Sequence, residues 1–160
     1  MSDEISTIAF ESVATLPSAD GGEAYPPLRM AEEDRRAILD HCRAGLPYEA
    51  CGLLFGKGRD VERVRPMRNA ARSTTYYELD PAEQLEAMED ARETGLDLVA
   101  IFHSHPVTRP YPSKTDVEFA GFWEDCWFLI ASFRNGGPEI CSYRIVDDRV
   151  HETGFEIAAD

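Results

Sequence analysis

The sequence His103-Ser104-His105-Pro106, followed after a short interval by Ser113-Lys114-Thr115-Asp116, decides how the rest of the chain is read. It stands at the end of an apolar run, Leu98-Val99-Ala100-Ile101-Phe102. If that run is a strand, residues two apart point to the same face. Both imidazoles then project together from the strand's end and could grip one ion. A carboxylate follows on what the pattern predicts to be the next helix. Two histidines and one aspartate, with a fourth position left to water, match an open catalytic zinc site rather than a closed structural one.

The interval between the two halves of the motif holds Pro106, Pro110 and Pro112. A loop so rich in proline is stiff and can keep a histidine in place. Residues 113–123 read as a helix. Residues 126–133 are strongly apolar and read as a central strand, and 135–137 as a turn. Residues 139–146 and 150–157 alternate and are predicted to close the sheet as two strands.

Upstream, Leu28-Arg29-Met30 reads as a short strand. A helix follows from Ala31, with Ala37, Ile38, Cys42 and Leu46 on its inner face, stopped by Gly45 and Pro47. His41 on that helix reads as a surface or half-buried histidine. Residues 51–55 form a buried strand bounded by glycines, and 60–67 alternate as its hairpin partner through Gly56-Lys57-Gly58. Residues 74–79 are strand-like. Asp80-Pro81-Ala82-Glu83 is a helix start, with Asp80 as cap and Pro81 in the first position. That helix is expected to run to about Thr94 and to bury Leu85 and Met88. Alternating helices and strands early, then strands late, imply an α/β fold: a mixed β-sheet flanked by helices in one domain.

Composition narrows the class. The chain has 160 residues, enough for one domain with a full core. Acidic residues outnumber basic ones 30 to 16, for a net charge of -14. That argues against nucleic acid or an anionic membrane as partner. No apolar run approaches the roughly 18 residues of a membrane span, and no secretory signal is visible, so a cytoplasmic location is expected. Residues 1–24 hold five acidic residues and no basic one. They read as a disordered acidic extension, with residues 5–13 as a candidate edge strand, and the folded domain is expected over 25–160. None of Cys42, Cys51, Cys126 and Cys141 forms a CxxC pair, so they read as reduced, partly buried thiols.

Each motif residue also has a plain reading. Ser113-x-x-Asp116 resembles a helix capping pattern. His103 and His105 could be a backbone-bonded strand histidine and a solvated loop histidine. Glu49, just before the strand at 51–55, reads locally as a solvated carboxylate or an arginine's partner.

Together, HxHP, the short proline-rich interval and SxxD are far more specific than any one of them. They resemble the JAMM family, the MPN+ metalloproteases, whose pattern is an upstream glutamate, then H-[ST]-H-P, then S-x-x-D. Here Glu49, His103-Ser104-His105-Pro106 and Ser113-Lys114-Thr115-Asp116 fill every position. The resemblance covers residues 26–157, where Asn69, Asp80-Pro81 and Gln84 also fit. It implies a JAMM/MPN, cytidine-deaminase-like fold and Zn²⁺ held by His103, His105 and Asp116. It implies Glu49 as general base and Ser113 as oxyanion donor. The implied substrate is a ubiquitin-like or sulfur-carrier protein of the β-grasp class, cut after its C-terminal Gly-Gly. No covalent acyl-enzyme is then needed, and Cys51 reads as a small buried strand residue.

Two other functions fit the same family: a non-catalytic MPN-type scaffold module, and a zinc exopeptidase acting on small peptides. A zinc deaminase does not fit. That chemistry uses HxE followed by PCxxC, whereas the second position here is His105 and no PCxxC exists.

Overall fold

The computed structural model describes residues 25–159. The acidic extension and its candidate edge strand lie outside the described residues. Eight strands form one mixed sheet: β1 (Leu28–Met30), β2 (Cys51–Lys57), β3 (Asp60–Met67), β4 (Asp97–His105), β5 (Trp127–Ser132), β6 (Glu139–Val146), β7 (Arg149–Glu152) and β8 (Phe155–Ile157). Three helices accompany it: α1 (Glu32–Gly45), α2 (Pro81–Glu93) and α3 (Lys114–Ala120). The strand order is β7-β6-β5-β4-β2-β3-β1-β8. None of these helices is long and apolar enough to cross a membrane.

Burial explains the order. The interior strands β2, β4 and β5 are nearly continuous apolar runs, as expected of strands covered on both faces. Phe55, Ile101, Phe102, Phe128, Leu129 and Ile130 pack there with 2% exposure or less. Gly52 is required by this packing, because a Cβ there would lie 2.2 Å from the Phe102 ring. Residues 150–157, expected as one strand, are two. β7 pairs with β6 at one edge of the sheet, and β8 pairs with β1 at the other. Only Thr153 and Gly154 separate them, so the sheet curls until its two edges are neighbours. Gly154, at φ 71°, makes the turn between them.

Other expectations need correction. α1 buries Ile38, Leu39 and Cys42, while Ala37 and Leu46 are exposed. α2 buries Ala87 and Ala91, and Leu85 is 61% exposed. Helix α3 stops at Ala120 rather than near 123. Residues 74–79 form no strand. They lack a ladder neighbour beyond a single bridge between Asn69 and Leu79, and side-chain bonds hold them instead.

Candidate active site

Strand β4 runs through His105, so both histidines stand on one strand. Its antiparallel register with β2 sets Cys51 opposite His103. Continued by two residues, that register brings Glu49 across from His105 on the same face. Ser104, between the histidines, points to the opposite face and secures this alignment. Its N–H donates to the Ala50 carbonyl at 3.0 Å, and its Oγ accepts from the Ala50 N–H at 2.8 Å. The middle residue of the motif thus fixes the neighbour of Glu49.

Asp116 arrives from α3. Ser113 caps that helix: its Oγ accepts from Asp116 N–H at 3.1 Å, and its own N–H donates to Asp116 Oδ2 at 2.8 Å. This reciprocal capping box aims the carboxylate inward. His103 Nε2, His105 Nε2 and Asp116 Oδ2 then lie 3.1 Å from one another in all three pairs. Glu49 joins them, with ligand-capable atoms of Glu49, His103 and His105 all within 4.8 Å of one another. Every one of these four side chains is buried.

His105 Nδ1 lies 2.8 Å from the Arg109 carbonyl, which can only accept. The proton of the neutral ring therefore sits on Nδ1, and Nε2 presents a lone pair. The loop supplying that carbonyl is clamped: Ser132 Oγ donates to Thr108 C=O and Tyr143 O–H to Pro110 C=O. The mutual 3.1 Å spacing of the two imidazole nitrogens and the Asp116 oxygen suits a shared metal ion, and a Glu49 carboxylate oxygen also lies within 4.8 Å of a ring nitrogen of each histidine. Glu49 Oε1 is buried and has no hydrogen-bond partner among the described residues.

Electrostatics separate the two carboxylates. Burial pushes Glu49 up to about 7, against the downward pull of His103 and His105. Burial also acts upward on Asp116, but the charge on His103, its hydrogen bond and the bond from Ser113 N–H outweigh it. Asp116 is held well below the ordinary carboxylate range. One acid stays ionised and the other can exchange a proton near neutral pH, an acid–base division set by environment.

Two supporting residues were not assigned roles from sequence. Asn69 is buried and makes four hydrogen bonds to backbone. Nδ2 donates to Glu49 C=O (2.9 Å) and Tyr76 C=O (3.1 Å), and Oδ1 accepts from Ala71 N–H (2.9 Å) and Glu78 N–H (3.0 Å). Tyr77, within the clamped segment, stacks on His103 with ring centroids 4.5 Å apart. Asn69 thus ties the backbone of Glu49 to the shelf under His103. The bond from Ala71 N–H is an Asx turn, a local signal that the sequence Asn69-Ala70-Ala71 carried.

The family described as prokaryotic homologs of the JAB domain matches residues 31–146. The CysO-cysteine peptidase of Mycobacterium tuberculosis is 46% identical over 121 residues, covering 72% of this chain and 81% of its own length. The desampylase of Pyrococcus furiosus is 43% identical over 116 residues, covering 72% and 82%. A solution structure of a protein from Desulfitobacterium hafniense superposes with a TM-score of 0.74 at 36% identity, over 82% of this chain and 93% of that one. The chain belongs to the prokaryotic JAB-domain family, within the JAMM/MPN metalloprotease-type hydrolases.

Proposed function

We propose that this protein is a zinc-dependent peptidase that hydrolyses the amide bond after the C-terminal Gly-Gly of a ubiquitin-like or sulfur-carrier protein. The observation that carries the reading is the 3.1 Å triangle of His103 Nε2, His105 Nε2 and Asp116 Oδ2 beside buried Glu49, whose Oε1 has no hydrogen-bond partner among the described residues. Tetrahedral zinc with ligands at about 2.0–2.1 Å has ligand atoms about 3.3–3.4 Å apart, close to that spacing. His103, His105 and Asp116 would hold the ion, and the names of the M. tuberculosis and P. furiosus relatives support the substrate class. When bound, zinc supplies a Lewis acid that acidifies water and polarises a carbonyl.

The chain's own groups do the remaining work. Glu49 takes a proton from the water as its oxygen adds to the carbonyl carbon of the last glycine of Gly-Gly. As the C–N bond breaks, Glu49 gives that proton to the leaving amine. The water's hydroxyl stays with the carrier as its new carboxyl group, whose proton passes to the released amine to leave carboxylate and ammonium, so atoms and charge balance. Ser113 uses Oγ as an acceptor for its cap, which leaves its O–H hydrogen free to stabilise the oxyanion. Ser104 and Asn69 fix the backbone on which Glu49 stands.

The test is the intact mass of a CysO-cysteine adduct after incubation with the zinc-loaded protein. The expected product is the carrier shortened by one cysteine, ending in Gly-Gly. An adduct left whole, together with an inert panel of other Gly-Gly adducts, contradicts the proposal.

A further inference from the structure

His103 and His105 are held in different ways. His105 Nδ1 lies 2.8 Å from the Arg109 carbonyl. His103 Nδ1 is buried and has no hydrogen-bond partner among the described residues. A metal-ligating imidazole is ordinarily oriented through a hydrogen bond at its second nitrogen. His103 is supported by a ring instead. Tyr77 stacks on it, with centroids 4.5 Å apart and planes 26° from parallel.

The same tyrosine also meets helix α3. Its ring makes an edge contact with Phe119, centroid to centroid 5.4 Å. Phe119 stands three residues after Asp116, on the same side of that short helix. One ring therefore touches both the strand that carries His103 and His105 and the helix that carries Asp116. Tyr77 is buried, and its hydroxyl has no hydrogen-bond partner among the described residues. Its contacts with the site are made by the ring. Hydrogen bonds of the next residue fix the backbone in place of a strand ladder. Glu78 N–H donates to Asn69 Oδ1 at 3.0 Å, and Glu78 C=O accepts from Ala70 N–H at 2.8 Å.

We infer that Tyr77 is a positioning residue that preorganises the ligand triangle, holding the His103 imidazole and helix α3 in the metal-ready arrangement before an ion is bound. This rests on the ligand set of the function proposed above. An imidazole free to rotate loses that freedom when it takes a ligand, and the loss weakens binding. An imidazole stacked between packed neighbours has lost it already on folding. Offset rings also attract one another beyond the area they bury. Stacking fixes the plane of His103 without an acceptor at Nδ1, and the edge contact with Phe119 sets the distance of α3 from that plane.

The experiment measures zinc affinity of the full-length protein by competition with a chelator of known affinity. Tyr77→Met removes the ring at similar volume and is expected to bind zinc about tenfold to a hundredfold more weakly, the loss typical when the support of a metal ligand is removed. Tyr77→Phe keeps the ring and is expected to stay within about twofold of wild type. Val61→Ala, a core change at the far end of β3, is expected to leave the affinity unchanged. Melting temperatures show which variants are folded. In metal-free wild type, nuclear Overhauser effects are expected between the Tyr77 ring and the His103 imidazole, a readout that needs no variant. Wild-type affinity in folded Tyr77→Met overturns the inference, as does an equal loss in Tyr77→Phe or in folded Val61→Ala. Absence of the Tyr77–His103 effects in the metal-free protein also overturns it. A wild type that binds no zinc overturns instead the function on which it rests.

Discussion

Ser113 is proposed to serve the site with two different parts of one hydroxyl. Oγ accepts from Asp116 N–H and closes the capping box, while the hydrogen remains available to substrate. Ser113→Ala is expected to lose about 1 kcal/mol of stability with the cap. It is also expected to lose about 10²–10³ in kcat/KM with the oxyanion donor. Thermal unfolding and kinetics at saturating zinc separate the two, and a stability loss with unchanged kcat/KM would leave Ser113 as a cap only. Asn69 is a positioning residue. Asn69→Asp keeps Oδ1 but replaces the donor to Glu49 C=O with an acceptor. It is expected to lower kcat more than it raises KM, with zinc content unchanged, whereas loss of zinc would assign Asn69 to the metal site instead. At this scale the sequence was unevenly legible. His103, His105 and Asp116 were readable because strand periodicity and a helix cap are local properties. Glu49 became readable only through family resemblance, because its place depends on the register of β2 against β4. Tyr77 was invisible, since it sits in a segment with no regular structure and stacks on His103 26 positions later.

Among the elements, α2 shows local signals winning at its start and losing on its face. Asp80 caps it as expected, accepting from Glu83 N–H at 3.0 Å. A hydrogen bond from Arg68, with a further bond from Glu83 N–H, holds the Asp80 carboxyl below its ordinary value. A lowered folded value means that the stabilisation is present above the unfolded value of about 3.9 and fades as pH falls through the folded one. Asp80→Ala is therefore expected to lower the melting temperature at pH 7 and to flatten its fall on acidification. Parallel melting curves for wild type and variant at every pH would contradict that linkage. The buried face of α2 was half misread: Met88 packs against the core as expected, but Ala87 and Ala91, not Leu85, are its fully buried residues. Residues 74–79 had strand composition but found no partner, since Asn69 takes up the backbone groups of Tyr76 and Glu78. The break between β7 and β8 escaped notice because alternation runs across Thr153-Gly154 without saying which neighbour each half will meet.

Across the whole molecule, curling the sheet until β7 and β8 become neighbours leaves the C-terminal end of β4 as the place where the loop before β2, the loop after β4 and helix α3 converge. The mixed sheet with flanking helices was legible from alternating patterns, but its closure was not, because closure is a property of pairing order rather than of any segment. The proposed function divides the labour: His103, His105 and Asp116 would hold zinc while Glu49 moves the proton. Its most direct test is the zinc content and the CysO-cysteine hydrolysis rate of wild type and Glu49→Gln, measured side by side. Both are expected to carry about one zinc per chain, with a loss of about 10²–10⁴ in kcat for the variant. A Glu49→Gln protein that keeps its full rate, or that loses its zinc, would contradict it.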